Sequence, residues 1–364
     1  MKSRFSKMAL TVTSCAIMAS YSFQVFSKDD ASKENVNKMV ENWPARPKLA
    51  VQEMMAKYGE PLEVSSETVI WHNAGPYKRI MVTKMEIPHD FPKPHMDYLE
   101  HTLQYKVPTD KIDDLVAFDA SMTVNKTAGE MSARCDLEGH NILTLNLARD
   151  IIEGKKSVAE ARKSFGVNVV DDVLGKKPAY VEKLQFEPHT VEKSAFADKP
   201  IIPGSPVRSM GSDTKAMGSD AEILAFVVAT DENEVLASAE AQKKKIDGPV
   251  MEYAKMLHQE HGKNAAATMK LGEKIKITPA DTKAVDDLRV KGATELAMLI
   301  PLEGKEFEKS YIDAMVKGHK EVLAMIDGKL LPGAKNAQLK DHLTKTKEHV
   351  AMHLKHAEKI QSTL

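Results

Sequence analysis

Imidazole and carboxylate groups recur on the apolar faces of predicted helices in the C-terminal half of the chain. At about 100° per residue, His261 falls at the centre of one apolar stripe and His319 lies inside another. Glu234 falls within the stripe of a third helix. An isolated buried charge is costly, so such groups must be paired, neutralised or bound to a metal. Glu and His from facing helices are the ligands of bundle-core metal sites, and imidazole suits zinc, copper, iron or nickel.

The last predicted helix supplies four histidines beside its apolar stripe, and the two closest to the stripe are His342 and His353. As the ligand from this helix, His342 is favoured by its distance along the helix, which places it at the level of the other predicted ligands. His353 is favoured by its direction on the helical wheel. The spacing also argues against a carboxylate-bridged di-iron centre, because Glu260 and His261 are adjacent rather than three residues apart. The pattern therefore predicts a mononuclear metal site at most. The alternative is a buried Glu–His hydrogen-bond network.

A second group of residues with reactive side chains lies in the N-terminal half. Its members are His72, His89, His95, Asp97, His101, Cys135 and His140. His72 and the segment 89–95 fall at predicted loops, where functional residues concentrate. Cys135 precedes a predicted helix, a position that lowers a thiol pKa, so a Cys135/His140 nucleophile pair is one hypothesis and a structural cysteine is the other. The histidine spacing matches no zinc signature, and no G-x-S-x-G, P-loop or H-E-x-x-H motif is present.

The elements that position these N-terminal residues are strands followed by helices. Three segments have strand character, at residues 63–71, 78–87 and 97–107. In the last of them alternate residues form one mostly apolar face. Residues 137–152 have the spacing of a helix. This order predicts an α+β domain over residues 43–166.

Proline, glycine and serine interrupt the pattern from residue 167 to 220, which predicts a linker that is partly disordered. Everything after it has helical spacing. Five segments are separated by breaks that contain proline or glycine, at residues 221–245, 250–276, 280–299, 307–330 and 335–360. The layout predicts an antiparallel helical bundle with one elaborated connection over residues 221–364.

The first 27 residues have the pattern of a signal peptide, with a basic start, an uncharged apolar stretch and small residues before Lys28. This pattern predicts export to a bacterial periplasm. One alternative is a lipoprotein anchored at Cys15, and another is a retained membrane anchor. The residues after Cys15 stay apolar, whereas a mature lipoprotein usually turns polar there, so the lipoprotein hypothesis ranks below a cleaved signal peptide. No later apolar run is long enough to span a bilayer, so an integral membrane protein is not expected after signal removal.

The bulk composition restricts the partners and the stabilising chemistry. Net charge is -1 with 28% charged residues, which gives no electrostatic case for nucleic acid. Aromatic residues make up only 5% while methionine reaches 20 residues, which favours helix packing. With the signal removed only Cys135 remains, so an internal disulfide is excluded.

Several segments of the helical half resemble a known family. They are Glu234-Val235, Tyr253-Ala254-Lys255-Met256 with His261, Phe307-Glu308-Lys309-Ser310-Tyr311-Ile312-Asp313 with His319, and His353-Leu354-Lys355-His356-Ala357. Through them, residues 221–364 resemble exported bacterial ferritin-like helical domains of unknown function, some of them described as outer-membrane proteins. The resemblance implies a ferritin-like four-helix bundle and no known reaction, and it favours His353 over His342. The N-terminal part resembles an uncharacterised exported domain.

Three functional hypotheses follow. The first is a periplasmic, non-catalytic protein that binds a protein partner in the cell envelope or serves a stress role. The second is a mononuclear site for a transition metal, iron or zinc, formed by Glu234, His261, His319 and His353. The third is an enzyme sited in the N-terminal domain around His72, His95, His101, Cys135 and His140.

Overall fold

The structure, a computed structural model, describes residues 35–196, 198–208 and 218–364. The chain divides into two compact units, Met1–Ala197 and Asp198–Leu364, which we call the sheet-rich unit and the helical unit. The predicted signal peptide, with Cys15, lies outside the described residues. Among the residues that are described, no helix combines the length and the apolar character needed to cross a membrane.

A six-stranded sheet with strand order β1-β2-β3-β4-β6-β5 forms the centre of the sheet-rich unit. Its strands are β1 Glu63–Val64, β2 Thr68–Ala74, β3 Tyr77–His89, β4 His95–Gln104, β5 Thr123–Asn125 and β6 Glu130–Cys135. Every neighbouring pair is antiparallel. β4 is central and buried along most of its length, with Leu99 and Leu103 fully covered.

Helices accompany the sheet, as the α+β interpretation predicts, and those at Ala45–Tyr58 and Glu138–Ile152 pack directly on its strands. They are α1 Ala45–Tyr58, α2 Ile112–Phe118, α3 Glu138–Ile152, α4 Val158–Val173, α5 Ala179–Glu182 and α6 Val191–Ser194. α3 is buried on most of its surface, since it lies between the sheet and other helices of the unit. α4 begins with a capping box, in which Ser157 and Glu160 satisfy each other's backbone N–H groups.

The segment that we predicted as a linker from residue 167 has a different arrangement up to residue 196. α4 continues through Val173, and later backbone is held by polar side chains of the sheet-rich unit. Asn146 donates to the carbonyls of Tyr180 and Lys183, at 2.9 Å each. Prolines break the regular helix here, so buried side chains satisfy the backbone instead. Residues 209–217, in the part predicted to be disordered, lie outside the described residues.

Five helices account for most of the helical unit. They are α7 Asp220–Ala241, α8 Gly248–Lys274, α9 Lys283–Leu299, α10 Gly304–Met325 and α11 Ala337–Gln361. A short parallel pair, β7 Val207–Arg208 and β8 Ala280–Asp281, lies beside them. Pro at the start of α8 and the Asn336 side chain at the start of α11 mark where these helices begin.

The apolar core of the helical unit is split into two clusters along the helix axes. One cluster contains Leu257 of α8 and Tyr311 of α10, and the other contains Val227 of α7 and Leu343 of α11. Between these levels α7, α8, α10 and α11 turn polar side chains inward, among them the buried residues Asp231, His261, Thr268, His319, Thr346 and His353. A polar layer is therefore enclosed between two apolar layers.

Candidate metal centre

One histidine from each of three long helices meets in this polar layer. His261 of α8, His319 of α10 and His353 of α11 each offer a ring nitrogen, and the three nitrogens lie within 4.8 Å of one another. The ring centroids are separated by 5.0 Å for His261–His353, 5.6 Å for His319–His353 and 5.8 Å for His261–His319. All three residues are at most 5% exposed. The helices thus bring three nitrogen donors together away from solvent.

One nitrogen of each ring, which we call the outer nitrogen, is hydrogen-bonded to an oxygen atom. His261 Nδ1 lies 2.8 Å from Asp231 Oδ1, and His353 Nε2 lies 2.7 Å from Glu260 Oε2. His319 Nδ1 is 2.8 Å from the backbone carbonyl of Met315. A carbonyl oxygen only accepts, so this Nδ1 carries the hydrogen and the Nε2 of a neutral His319 carries a lone pair. Such outer-sphere bonds to carboxylates and carbonyls are typical of metal-binding histidines.

The other nitrogen of each ring, which we call the inner nitrogen, has no hydrogen bond to a described residue. Nε2 of His261, Nε2 of His319 and Nδ1 of His353 are buried and have no hydrogen-bond partner within the described part of the chain. A buried polar group without a partner costs about 1–3 kcal/mol. Three such residues, His261, His319 and His353, are clustered at one place in the polar layer.

Burial controls the charge of this cluster. It lowers the pKa of His261 to about 4, and it lowers the pKa of His353 to about 4. Both imidazoles are therefore neutral at pH 7, the form that binds a metal. Burial also raises the pKa of the Asp231 carboxyl above its usual range. A cation bound to His261 would favour the ionised Asp231 carboxylate, which accepts the Nδ1 hydrogen.

Glu234, the fourth predicted ligand, lies near the three histidines without joining them. It offers no oxygen to the group whose atoms lie within 4.8 Å of one another. Its half-buried carboxylate faces Gly318, beside His319, where an added Cβ would lie 3.7 Å from Oε1. Its negative charge raises the pKa of His261, against the larger effect of burial. Oε2 has no hydrogen-bond partner among the described residues.

The structure also separates the two candidates on the last helix. His353 lies in the cluster, whereas the Nε2 of His342 lies 2.7 Å from the Thr268 hydroxyl. Direction on the helical wheel was therefore the better guide than distance along the chain. α10 is followed by a π-helical turn and the helical turn Leu331–Gly333 before α11 begins. This irregular connection shifts the level at which α11 meets its neighbours.

The surroundings of Cys135 differ from those expected of a nucleophile. Cys135 ends β6, and its Sγ lies 3.3 Å from His95 Nε2 and 3.8 Å from His140 Nδ1. Burial and the neighbouring Asp136 carboxylate raise the pKa of the Cys135 thiol well above its usual range. Of the two hypotheses for this residue, these surroundings favour the structural cysteine, because Cys135 is buried at the end of a strand and has no lowered pKa. A protonated thiol is a poor nucleophile.

Two further histidines of the sheet-rich unit, His72 and His101, lie apart from the Cys135 group. His72 lies within β2 rather than in a loop, and its Nε2 pairs with Glu63 at 2.6 Å on the surface. His101 is fully buried in β4, 3.0 Å from the Asn141 amide, and burial lowers its pKa to about 3. These two residues therefore do not join Cys135 in one site.

Sequence reasoning missed two members of the centre. Glu260 was considered only as a ligand motif with His261, yet its carboxylate bonds His353 of another helix. Asp231 lies beside the apolar stripe of α7, and it bonds both His261 and, at 2.8 Å, Asn264. The sequence feature that could have identified Asp231 and Glu260 is the position of each acidic residue at the edge of an apolar stripe.

A protein-family model matches much of the helical unit. No curated protein and no solved structure matches the chain. Residues 205–360, which contain the three clustered histidines and nearly all of the five long helices, match the model of a domain of unknown function (DUF4142).

Proposed function

We propose that the helical unit binds a single transition-metal ion, iron or zinc, through His261, His319 and His353. The observation that carries the proposal is the convergence of three unpartnered ring nitrogens in a buried layer. Each opposite nitrogen is bonded to an oxygen, so each ring is oriented with a lone pair toward the common point. A hydrogen-bond network alone would leave these three nitrogens unsatisfied.

The three histidine ligands limit which metals the site can bind. Three imidazole nitrogens suit zinc or ferrous iron better than calcium or magnesium, which prefer oxygen ligands. Three protein ligands leave an open coordination position, as in catalytic zinc sites, whereas structural zinc sites use four. Glu234, whose charge acts on His261 and whose Oε2 has no hydrogen-bond partner among the described residues, is a candidate for an additional ligand or for charge compensation.

We place this centre in a ferritin-like four-helix bundle formed by α7, α8, α10 and α11, with α9 as the elaborated connection. The support is that each of these four helices contributes both to the polar layer and to the apolar clusters on either side of it. The predicted signal peptide supports an exported, periplasmic protein with a binding role in the envelope. The raised pKa of Cys135 gives no support to a thiol enzyme.

Elemental analysis of the purified protein tests the metal proposal. Wild type expressed with iron and zinc supplied is compared with a His261→Gln, His319→Gln double variant, and we expect the double variant to lose one equivalent of metal per chain. His342→Gln is the matched control, since His342 lies on the same helix as His353 but bonds Thr268. Equal metal content in wild type and the double variant, with unchanged circular dichroism, would overturn the proposal.

A further inference from the structure

A second convergence of metal-binding groups lies in the sheet-rich unit, on the hairpin formed by β3 and β4. In the register of this hairpin His89 is directly opposite His95, and Asp97 is two residues further along β4. Cross-strand partners share a face of the sheet, and so do residues two apart on one strand. The backbone therefore places two imidazoles and one carboxylate on the same face.

The three side chains meet at close range. His95 Nε2 lies 3.1 Å from Asp97 Oδ1, and His89 Nδ1 lies 3.2 Å from Asp97 Oδ2. One ligand atom from each of the three residues lies within 4.8 Å of those of the other two. The ring centroids of His89 and His95 are 5.0 Å apart.

These short distances are those of ion pairs when the rings are protonated, but their geometry is not that of hydrogen bonds. Asp97 Oδ1 and His89 Nδ1 are both buried, and neither has a hydrogen-bond partner in the described ranges. Asp97 is only 4% exposed, so water does not compensate its carboxylate. A buried carboxylate oxygen such as Oδ1, with neither a hydrogen bond nor solvent, is costly unless a protonated histidine or a metal ion is close.

A backbone group orients one of the rings for binding. His95 Nδ1 lies 2.8 Å from the carbonyl of Lys93, which only accepts, so Nδ1 carries the hydrogen. In the neutral ring Nε2 then carries the lone pair, and this is the atom that faces Asp97. In the same way, the Nδ1 of His319 in the helical unit donates to the backbone carbonyl of Met315.

We propose that His89, His95 and Asp97 form a second site for a divalent transition-metal ion of the zinc or iron class. Two imidazoles and one carboxylate are a ligand set for both metals. The site is independent of the proposed centre of the helical unit, since its ligands all come from one hairpin of the sheet-rich unit. Nothing in the sequence spacing identifies it, because the chain supplies no zinc signature.

Cys135 lies beside this site but is not one of its ligands. Its Sγ is 3.3 Å from His95 Nε2, yet the thiol also bonds the Asp136 carboxylate at 3.3 Å. The group formed by His89, His95 and Asp97 does not include the sulfur atom. Replacement of Cys135 therefore separates the proposed ligand set from the alternative set of His95, Cys135 and Asp136.

Zinc titration by calorimetry tests the proposal in full-length protein that carries His261→Gln and His319→Gln. In this background, which lacks the helical centre, we expect one equivalent of Zn²⁺ to bind. Asp97→Asn and His89→Gln should each weaken that binding at least about tenfold, the lower limit known for outer-sphere changes alone. Cys135→Ser and the surface change His72→Gln should leave it within about twofold.

Two outcomes would overturn the second site. One is the absence of stoichiometric zinc binding in the background protein, and the other is unchanged affinity in both Asp97→Asn and His89→Gln. If Asp97→Asn does not fold, His89→Gln still gives the answer, because its side chain is partly accessible at 14%. Imidazole ¹⁵N resonances of the background protein provide a readout without any change in the hairpin, since zinc should shift those of His89 and His95.

Discussion

The two clusters of imidazoles are built in opposite ways. In the helical unit, three helices distant in sequence each contribute one histidine to a layer between apolar clusters. In the sheet-rich unit, one hairpin supplies His89, His95 and Asp97 through its register alone. The first arrangement exists only when the helices pack, whereas the second needs only the pairing of two strands.

The electrostatics of the two clusters differ as well. Burial dominates around His261 and lowers its pKa to about 4, whereas the ion pair with Asp97 raises the pKa of His95. Removing solvent disfavours a charged ring, and an adjacent carboxylate favours it. Both rings have an acidic neighbour, Asp231 for His261 and Asp97 for His95, but burial dominates the pKa only in the helical unit.

The largest effect is expected from His319→Gln. Loss of a direct ligand should weaken metal binding to the helical unit by more than about a hundredfold, the upper end of the range for outer-sphere changes. Metal held by the hairpin should not change, because the two sets share no residue. Calorimetric titration of the variant beside His342→Gln measures both quantities. A loss of both equivalents would contradict the independence of the two sites.

The stability of the two units should depend on pH in opposite ways, because the pKa of His261 is lowered and that of His95 is raised. The folded-state pKa of His261, about 4, is below the unfolded value of about 6.5, so its stabilisation is complete above pH 6.5 and is lost as pH falls toward 4. The loss for this one ring is up to about 3 kcal/mol. His95 has a raised pKa, so its contribution is complete below pH 6.5 and is lost as pH rises through the folded value.

Urea unfolding at pH 7.5 and pH 4.5, with a chelator present, measures these contributions. Trp43 and Trp71, the two tryptophans of the chain, both lie in the sheet-rich unit, so fluorescence reports that unit while helical circular dichroism reports mainly the other. His261→Gln should flatten the acid-induced loss seen by circular dichroism. An equally steep loss in this variant would show that the pKa of His261 is not the cause.

Outer-sphere changes should have intermediate effects. Asp231→Asn removes the carboxylate that accepts from His261 Nδ1, at 2.8 Å, and should weaken metal binding to the helical unit roughly 10–100-fold. Glu260→Gln tests the corresponding bond to His353. Asp341→Asn, on the exposed face of α11, is a control of the same chemistry. Equal affinities in Asp231→Asn and the control would remove Asp231 from the centre.

The smallest effect is expected from Glu234→Gln. Its carboxylate lies outside the cluster of ligand atoms and acts on His261 through its charge, so metal affinity should fall less than about tenfold. The change is measured by the same titration, against Asp231→Asn as the reference. A loss as large as that of His319→Gln would instead make Glu234 a direct ligand, as the sequence interpretation had it.

The helical periodicity of the sequence was sufficient to identify His261 and His319. A period of 3.6 residues determines which face of a helix a residue occupies before any partner is known. The same reasoning could not choose between His342 and His353, since the level of α11 depends on an irregular turn at residues 326–333. Glu260 was missed because its partner lies on another helix.

The hairpin site shows the complementary limit. We predicted a strand that begins at Asp97 and left His89 and His95 in a loop, whereas β3 runs to His89 and β4 begins at His95. The register shifts between Val82 and Ile87, and no residue pattern encodes such a shift. Sequence by itself determined the order of strands and helices, because local periodicity and turn residues act over a few positions. Only the tertiary structure decided which imidazoles meet, because that depends on register and packing between distant segments.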